Sequence, residues 1–109
     1  MIRAMRTHQE IDQRSLALAR RIVDRLDAGS WSGGVESARL VNRRWRAIQD
    51  SGVHRAWAAL LEQPWPAIRA ALLDPSEAGV QLRQNNPFCG ILSPQERWAV
   101  YREFARHAA

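Results

Sequence analysis

A chain of 109 residues holds enough material for one domain with a modest core and too little for two. Its apolar content of 46% and charged content of 25% are ordinary for a soluble globular protein. No apolar run approaches the roughly 20 residues a membrane-spanning helix needs, so no membrane span is expected. The formal charge is +5, and all 16 basic residues are arginine. A basic balance points to nucleic acid or an acidic protein as partner. A chain rich in Ala and Arg and devoid of Lys also bears the mark of GC-rich coding, which requires no polyanion. Acidic residues interleave with the arginines, which breaks up any continuous basic surface. Arg3 and Arg6 precede no apolar stretch, so a secretory leader is not expected. The single cysteine, Cys89, leaves no internal disulfide framework and fits a reducing cytoplasm, the expected location.

Helix punctuation dominates from the start. Thr7-His8-Gln9-Glu10 reads as a capping box that opens a helix, and Gly29 ends that helix. Between them Ile11, Leu16, Leu18, Ala19, Ile22, Val23 and Leu26 fill one side. At about 100° per residue their arc is roughly 160° wide, enough to touch two neighbouring helices. Gln13, Arg14, Arg20, Arg21, Asp24 and Arg25 occupy the other side.

Residues 30–34 form a break. A second helix is predicted from Val35 to Asp50, with Ala38, Val41, Trp45 and Ile48 inward and Ser51-Gly52 as its stop. Arg39, Arg43 and Arg46 share a face with Glu36 and Asp50, at spacings that permit Glu36–Arg39 and Arg46–Asp50 ion pairs. Leu40 and Ala47 lie off the core stripe beside Arg44. Arg39, Leu40, Arg43, Arg44 and Arg46 are therefore the candidate partner-binding residues.

The second half is cut into shorter pieces. Val53 to Gln63 carries Trp57, Leu60 and Leu61. Pro64 and Pro66 bracket Trp65 and open a helix through Ile68 and Leu72. Asp74-Pro75-Ser76-Glu77 reads as a cap with proline at the first helical position, opening a segment through Gln84. Then comes the densest local code in the chain, residues 85–98. Ser93 suits an N-cap, Pro94 the first helical position, and Glu96 can close a capping box onto Ser93. The last helix should run to about His107, with Trp98, Val100, Tyr101 and Phe104 on an apolar face.

Chemistry-bearing constellations are sparse. His8, His54, His107 and Cys89 fall at no zinc-ligand spacing, Gly33-Gly34 is too short for a phosphate loop, and carboxylates sit at helix starts or beside arginines. No catalytic residue, metal or cofactor is expected, and Cys89 between Phe88 and Gly90 reads as a small buried hydrophobe. A helix-turn-helix would use 35–50 as its recognition helix, with Arg39, Arg43, Arg44 and Arg46 toward the bases, but the connection before it is glycine-rich and the helix brings its own acids. A small DNA-binding regulator is the alternative to a protein-binding one.

Pro87, Phe88, Cys89, Gly90, Arg97 and Trp98 are expected to form a structural clasp. Phe88, Ile91 and Leu92 would be buried against Trp98 and the first helix, with Cys89 enclosed beside them. Pro87 and Gly90 would set the turn, and Arg97, in the middle of the apolar face, would donate to loop carbonyls.

The segment Leu82-Arg83-Gln84-Asn85-Asn86-Pro87-Phe88-Cys89-Gly90-Ile91-Leu92-Ser93-Pro94-Gln95-Glu96-Arg97-Trp98 resembles a pattern, LRQSSPFAGVLTPRERW, of a group of small bacterial proteins. His8 to Leu18 is similar to their HEEIDRRSLAL start, and Trp45, Trp57 and Leu60-Leu61 match loosely. Asn85-Asn86 stand where the group has serines, and Cys89 where it has alanine. The resemblance implies a companion of nucleotidyltransferase-like proteins, in an arrangement like bacterial toxin–antitoxin pairs, and brings no catalytic residues. The combined expectation is an all-α single domain over 1–109: an irregular bundle of five or six helices, long at the N-terminus and shorter later, with its five tryptophans mostly in or beside the core.

Overall fold

A computed structural model of the chain describes residues 8–29 and 33–108. Among them are six helices and no strand: α1 His8–Asp27, α2 Gly34–Ile48, α3 Gly52–Leu60, α4 Trp65–Leu72, α5 Glu77–Arg83 and α6 Pro94–Ala108. The all-α bundle is as the sequence predicts. Thr7, Ser30, Trp31 and Ser32 lie outside the described residues, as do the side chains of His8 and His107.

The wide apolar arc of α1 does touch several partners: it packs on α4, α5 and α6. Ala19, Ile22 and Val23 are its fully buried residues, and Ile11 near its start stays exposed. Gly29 ends the helix at φ 67°, a left-handed conformation that suits glycine, and its N–H reaches the Leu26 carbonyl at 3.1 Å. On the other side of the core α5 packs on α4 and α3, and α3 carries α2. The helices thus form a row, with α6 at one end and α2 at the other.

The core joins Trp57 of α3, Ile68 and Leu72 of α4, and Phe88, Ile91 and Leu92 of the loop before α6 to the α1 residues. Trp57 is wholly buried, donates its indole N–H to the Leu82 carbonyl at 2.7 Å, and meets the Phe88 ring edge-on at 6.1 Å. Trp65 is half-buried beside the core and donates to Asp27 Oδ1 at 2.8 Å, while Arg69 Nε donates to Asp27 Oδ2 at 2.9 Å.

Several expected details are corrected. Trp98 is 61% exposed, touching Tyr101 edge-on at 6.0 Å. Among the described side chains of α6 the buried one is Val100, and Trp98 lies about 160° around the helix from it. Ile48 is 86% exposed. The inward line of α2 runs through Ala38, Asn42 and Trp45, and Ile48 is turned almost 90° from that line.

Helix α2 also stops at Ile48 because Ser51 caps the next helix, accepting from the His54 N–H at 3.3 Å. The last helix equals α2 at 15 residues, so the later helices are not uniformly short. Pro75 does not open α5. The Asp74 carboxylate takes the Ser76 N–H at 2.8 Å, which bends residues 74–76 into a turn and delays the helix to Glu77. Gly79 then lies so close to that turn that a Cβ would overlap the Asp74 carbonyl oxygen.

These placements separate two aromatic truncations. Phe88→Ala should lower stability by about 3–5 kcal/mol, and Trp98→Ala by less than about 1 kcal/mol, measured by urea denaturation. Gly79→Ala, which improves helix propensity on paper, should instead destabilise by about 1–3 kcal/mol through the clash with Asp74.

Candidate functional site

Helix α2 is held to the bundle by Ala38 in the core and by polar anchors on its inner side. Asn42, buried, donates from Nδ2 to the His54 carbonyl at 3.0 Å. Arg39 spans the groove to the end of α3, donating Nε and Nη2 to the Leu61 carbonyl at 3.1 and 2.8 Å. Its Nη1 pairs with Glu36, the ion pair expected from the spacing. Arg46 lies 3.6 Å from Asp50, the other expected pair, and its Nε is buried without a hydrogen-bond acceptor among the described residues. His54 donates from Nδ1 to the Gln49 carbonyl at 2.9 Å and its ring lies 5.7 Å from that of Trp45.

The candidate binding residues therefore divide. Arg39 and Arg46 are drawn into contacts within the α2–α3 pair. Leu40, Arg43 and Arg44 are exposed, and so are Ala47 and Ile48. At i, i+3, i+4, i+7 and i+8 these five residues make one continuous outer face on α2. Periodicity alone points Ile48 inward, and only the position of α3 reveals it as part of this face.

The loop before α6 is a clasp with different fastenings. Phe88, Ile91 and Leu92 are buried against α1 as expected, with Trp57 rather than Trp98 as the aromatic beside them, and Pro87 is buried too. Cys89 is exposed, not enclosed, because the turn points the neighbouring Phe88 inward. Gly90 is not among the positive-φ glycines, so it does not set the turn. Asn86 does: its Oδ1 accepts the Phe88 N–H at 2.9 Å and its carbonyl accepts the Cys89 N–H at 3.3 Å. Arg97 donates to the Cys89 carbonyl at 3.2 Å, the loop-bracing contact expected of it.

The capping box forms as predicted. Glu96 Oε1 accepts the Ser93 N–H at 2.9 Å, and Ser93 Oγ accepts the Glu96 N–H at 3.1 Å. Glu96 also pairs with Arg25 of α1, and Arg21 pairs with Glu103 at 3.3 Å, so charge fastens α6 to α1.

Beside the clasp a cavity of about 240 Å³ opens between α1, the loop and α6. Among the described residues no group of three His, Cys, Asp or Glu side chains converges to hold a metal, and no helix is long and apolar enough to cross a membrane. No family model, curated protein or solved structure matches the chain.

The Ser93 N–H, with Ser93 Oγ and Arg25 adding to it, holds the Glu96 carboxyl below the usual carboxylate range against the opposing effect of desolvation. A carboxylate whose pKa is lower folded than unfolded stabilises above the unfolded value, about 4.3, and loses that contribution as pH falls through the folded one. Glu96→Gln should therefore reduce stability at neutral pH and flatten its decline below about pH 4. Thermal melts of both proteins between neutral and acid pH check this, and parallel curves would be the contrary result.

Proposed function

We propose that this chain is a non-catalytic cytoplasmic interaction module that docks an acidic protein surface on the outer face of α2. In this reading it regulates a neighbouring enzyme, as an antitoxin-like protein does, and a nucleotidyltransferase-like protein is the first partner to test. One observation carries the reading: Leu40, Arg43, Arg44, Ala47 and Ile48 are exposed together along one helix face. Leucine and isoleucine near the two ends supply apolar anchors, and the paired arginines between them supply charge. Arginine suits such a place, since its planar fork meets carboxylates in a fixed geometry. An acidic, apolar-edged partner matches this pattern better than a phosphate backbone, which offers nothing to the exposed leucine and isoleucine.

Co-purification with the protein encoded beside it tests the proposal. Leu40→Asp combined with Ile48→Asp should weaken capture by about 30-fold or more while leaving the melting temperature nearly unchanged, because neither residue supports the core. Arg43→Glu should mainly slow association and reduce its salt dependence. Retention on duplex DNA at low salt, lost steeply as salt rises and abolished by the Arg43 and Arg44 substitutions, would replace the protein partner with the nucleic-acid one.

A further inference from the structure

The cavity between α1, the loop and α6 has a cationic wall and no carboxylate among its lining residues. Arg83, at the end of α5, is 6% exposed. It donates Nη1 to the carbonyls of Leu72 and Asp74, at 3.0 and 2.5 Å, and so ties down the end of α4. Its Nε is buried with no acceptor among the described residues. Nearby charges do not supply one: Asp74 and Asp12 act on this guanidinium through space, with Arg20 opposing them.

Arg97 stands on the same wall, and among the described residues its guanidinium has a single acceptor, the Cys89 carbonyl. Asn86 and Ser15 add neutral polar groups, and Tyr101 carries the Arg14 guanidinium 4.5 Å from its ring centroid. The remainder is apolar, made by Leu18, Ile22 and Leu92.

We infer that this cavity binds a small organic carboxylate with an aromatic or branched apolar body, its carboxylate drawn to the guanidiniums of Arg97 and Arg83 on the wall. Two guanidiniums on one wall with no carboxylate in the lining attract an anion, and Arg97 has N–H groups left for charge-assisted hydrogen bonds. Size fits the same ligand class. A cavity of about 150 Å³ holds benzene, so 240 Å³ accommodates roughly ten non-hydrogen atoms. The site is separate from the outer face of α2 and does not rest on the proposal made for that face.

Cys89, exposed and the only cysteine, stands on the cavity wall and serves as a built-in reporter. The test is alkylation of Cys89 by neutral iodoacetamide with phenylacetate as the probe and phenylacetamide as its uncharged counterpart. Phenylacetate at ten times its Kd should slow alkylation about tenfold, as occupancy of a single site requires. The amide at the same concentration should leave the rate within about twofold, since it lacks the charge. Arg97→Gln should weaken protection about tenfold or more, and Ser15→Leu, which fills the space, should abolish it in a protein that still melts cooperatively. Amide resonances of Leu18, Ile22 and Cys89 should move with phenylacetate in the wild-type protein. No resonance shift up to roughly 10 mM phenylacetate, or equal protection by the amide, would overturn the assignment.

Discussion

The burial of one tryptophan holds the bundle together. Trp57 reaches from α3 into the centre, and its indole N–H is spent on the Leu82 carbonyl near the end of α5. Its ring receives Phe88 from the loop that leads to α6. One side chain thereby joins three segments distant in sequence, with hydrophobic area and a directed hydrogen bond acting at the same place. The hydrogen bond matters because a buried indole N–H without an acceptor would cancel much of what the ring contributes. Around this point the other helices need only simple roles: α1 covers one side with a wide apolar arc, and α4 fills the gap with Ile68 and Leu72.

The ends of the row are held differently. Helix α6 is fastened to α1 by ion pairs, Arg25–Glu96 and Arg21–Glu103, and by Val100. Helix α2 is fastened to α3 by side chains that seek main-chain carbonyls, Asn42 on His54 and Arg39 on Leu61. The carbonyls at a helix end lack partners within the helix, and Arg39 and Arg83 both exploit this, one at the end of α3 and the other at the end of α4. Arginine is thus an internal fastener here as well as a surface charge, which composition alone does not separate.

Legibility in the sequence depends on the range of the interaction concerned. The Ser93–Glu96 box, the Gly29 stop and the Glu36–Arg39 pair are readable because each is decided within a few residues. Ile48 and Trp98 are misplaced by periodicity because it defines a stripe, while the neighbouring helix decides which part of the stripe is covered. The Pro75 cap fails for a related reason. Asp74 has two competing uses for its side chain, and the turn with Ser76 prevails over the helix start. The turn-setting role of Asn86 is masked because proline and glycine are the louder turn signals. For the candidate surfaces, Leu40, Arg44 and Ala47 are visible as an off-core face. The cavity is not visible at all, since Ser15, Arg83 and Arg97 meet only through packing.

The separation of α2's two sides has an evolutionary consequence. The residues that anchor the helix, Ala38, Asn42 and Arg39, are buried or half-buried, whereas Leu40, Arg43, Arg44, Ala47 and Ile48 are exposed. Changes on the outer side share no buried partner with Trp57 or its neighbours, so their effects on folding should add independently of the core. Substitutions on that face should consequently change the surface while keeping one scaffold. Drift there would alter the surface presented long before it altered the fold that presents it.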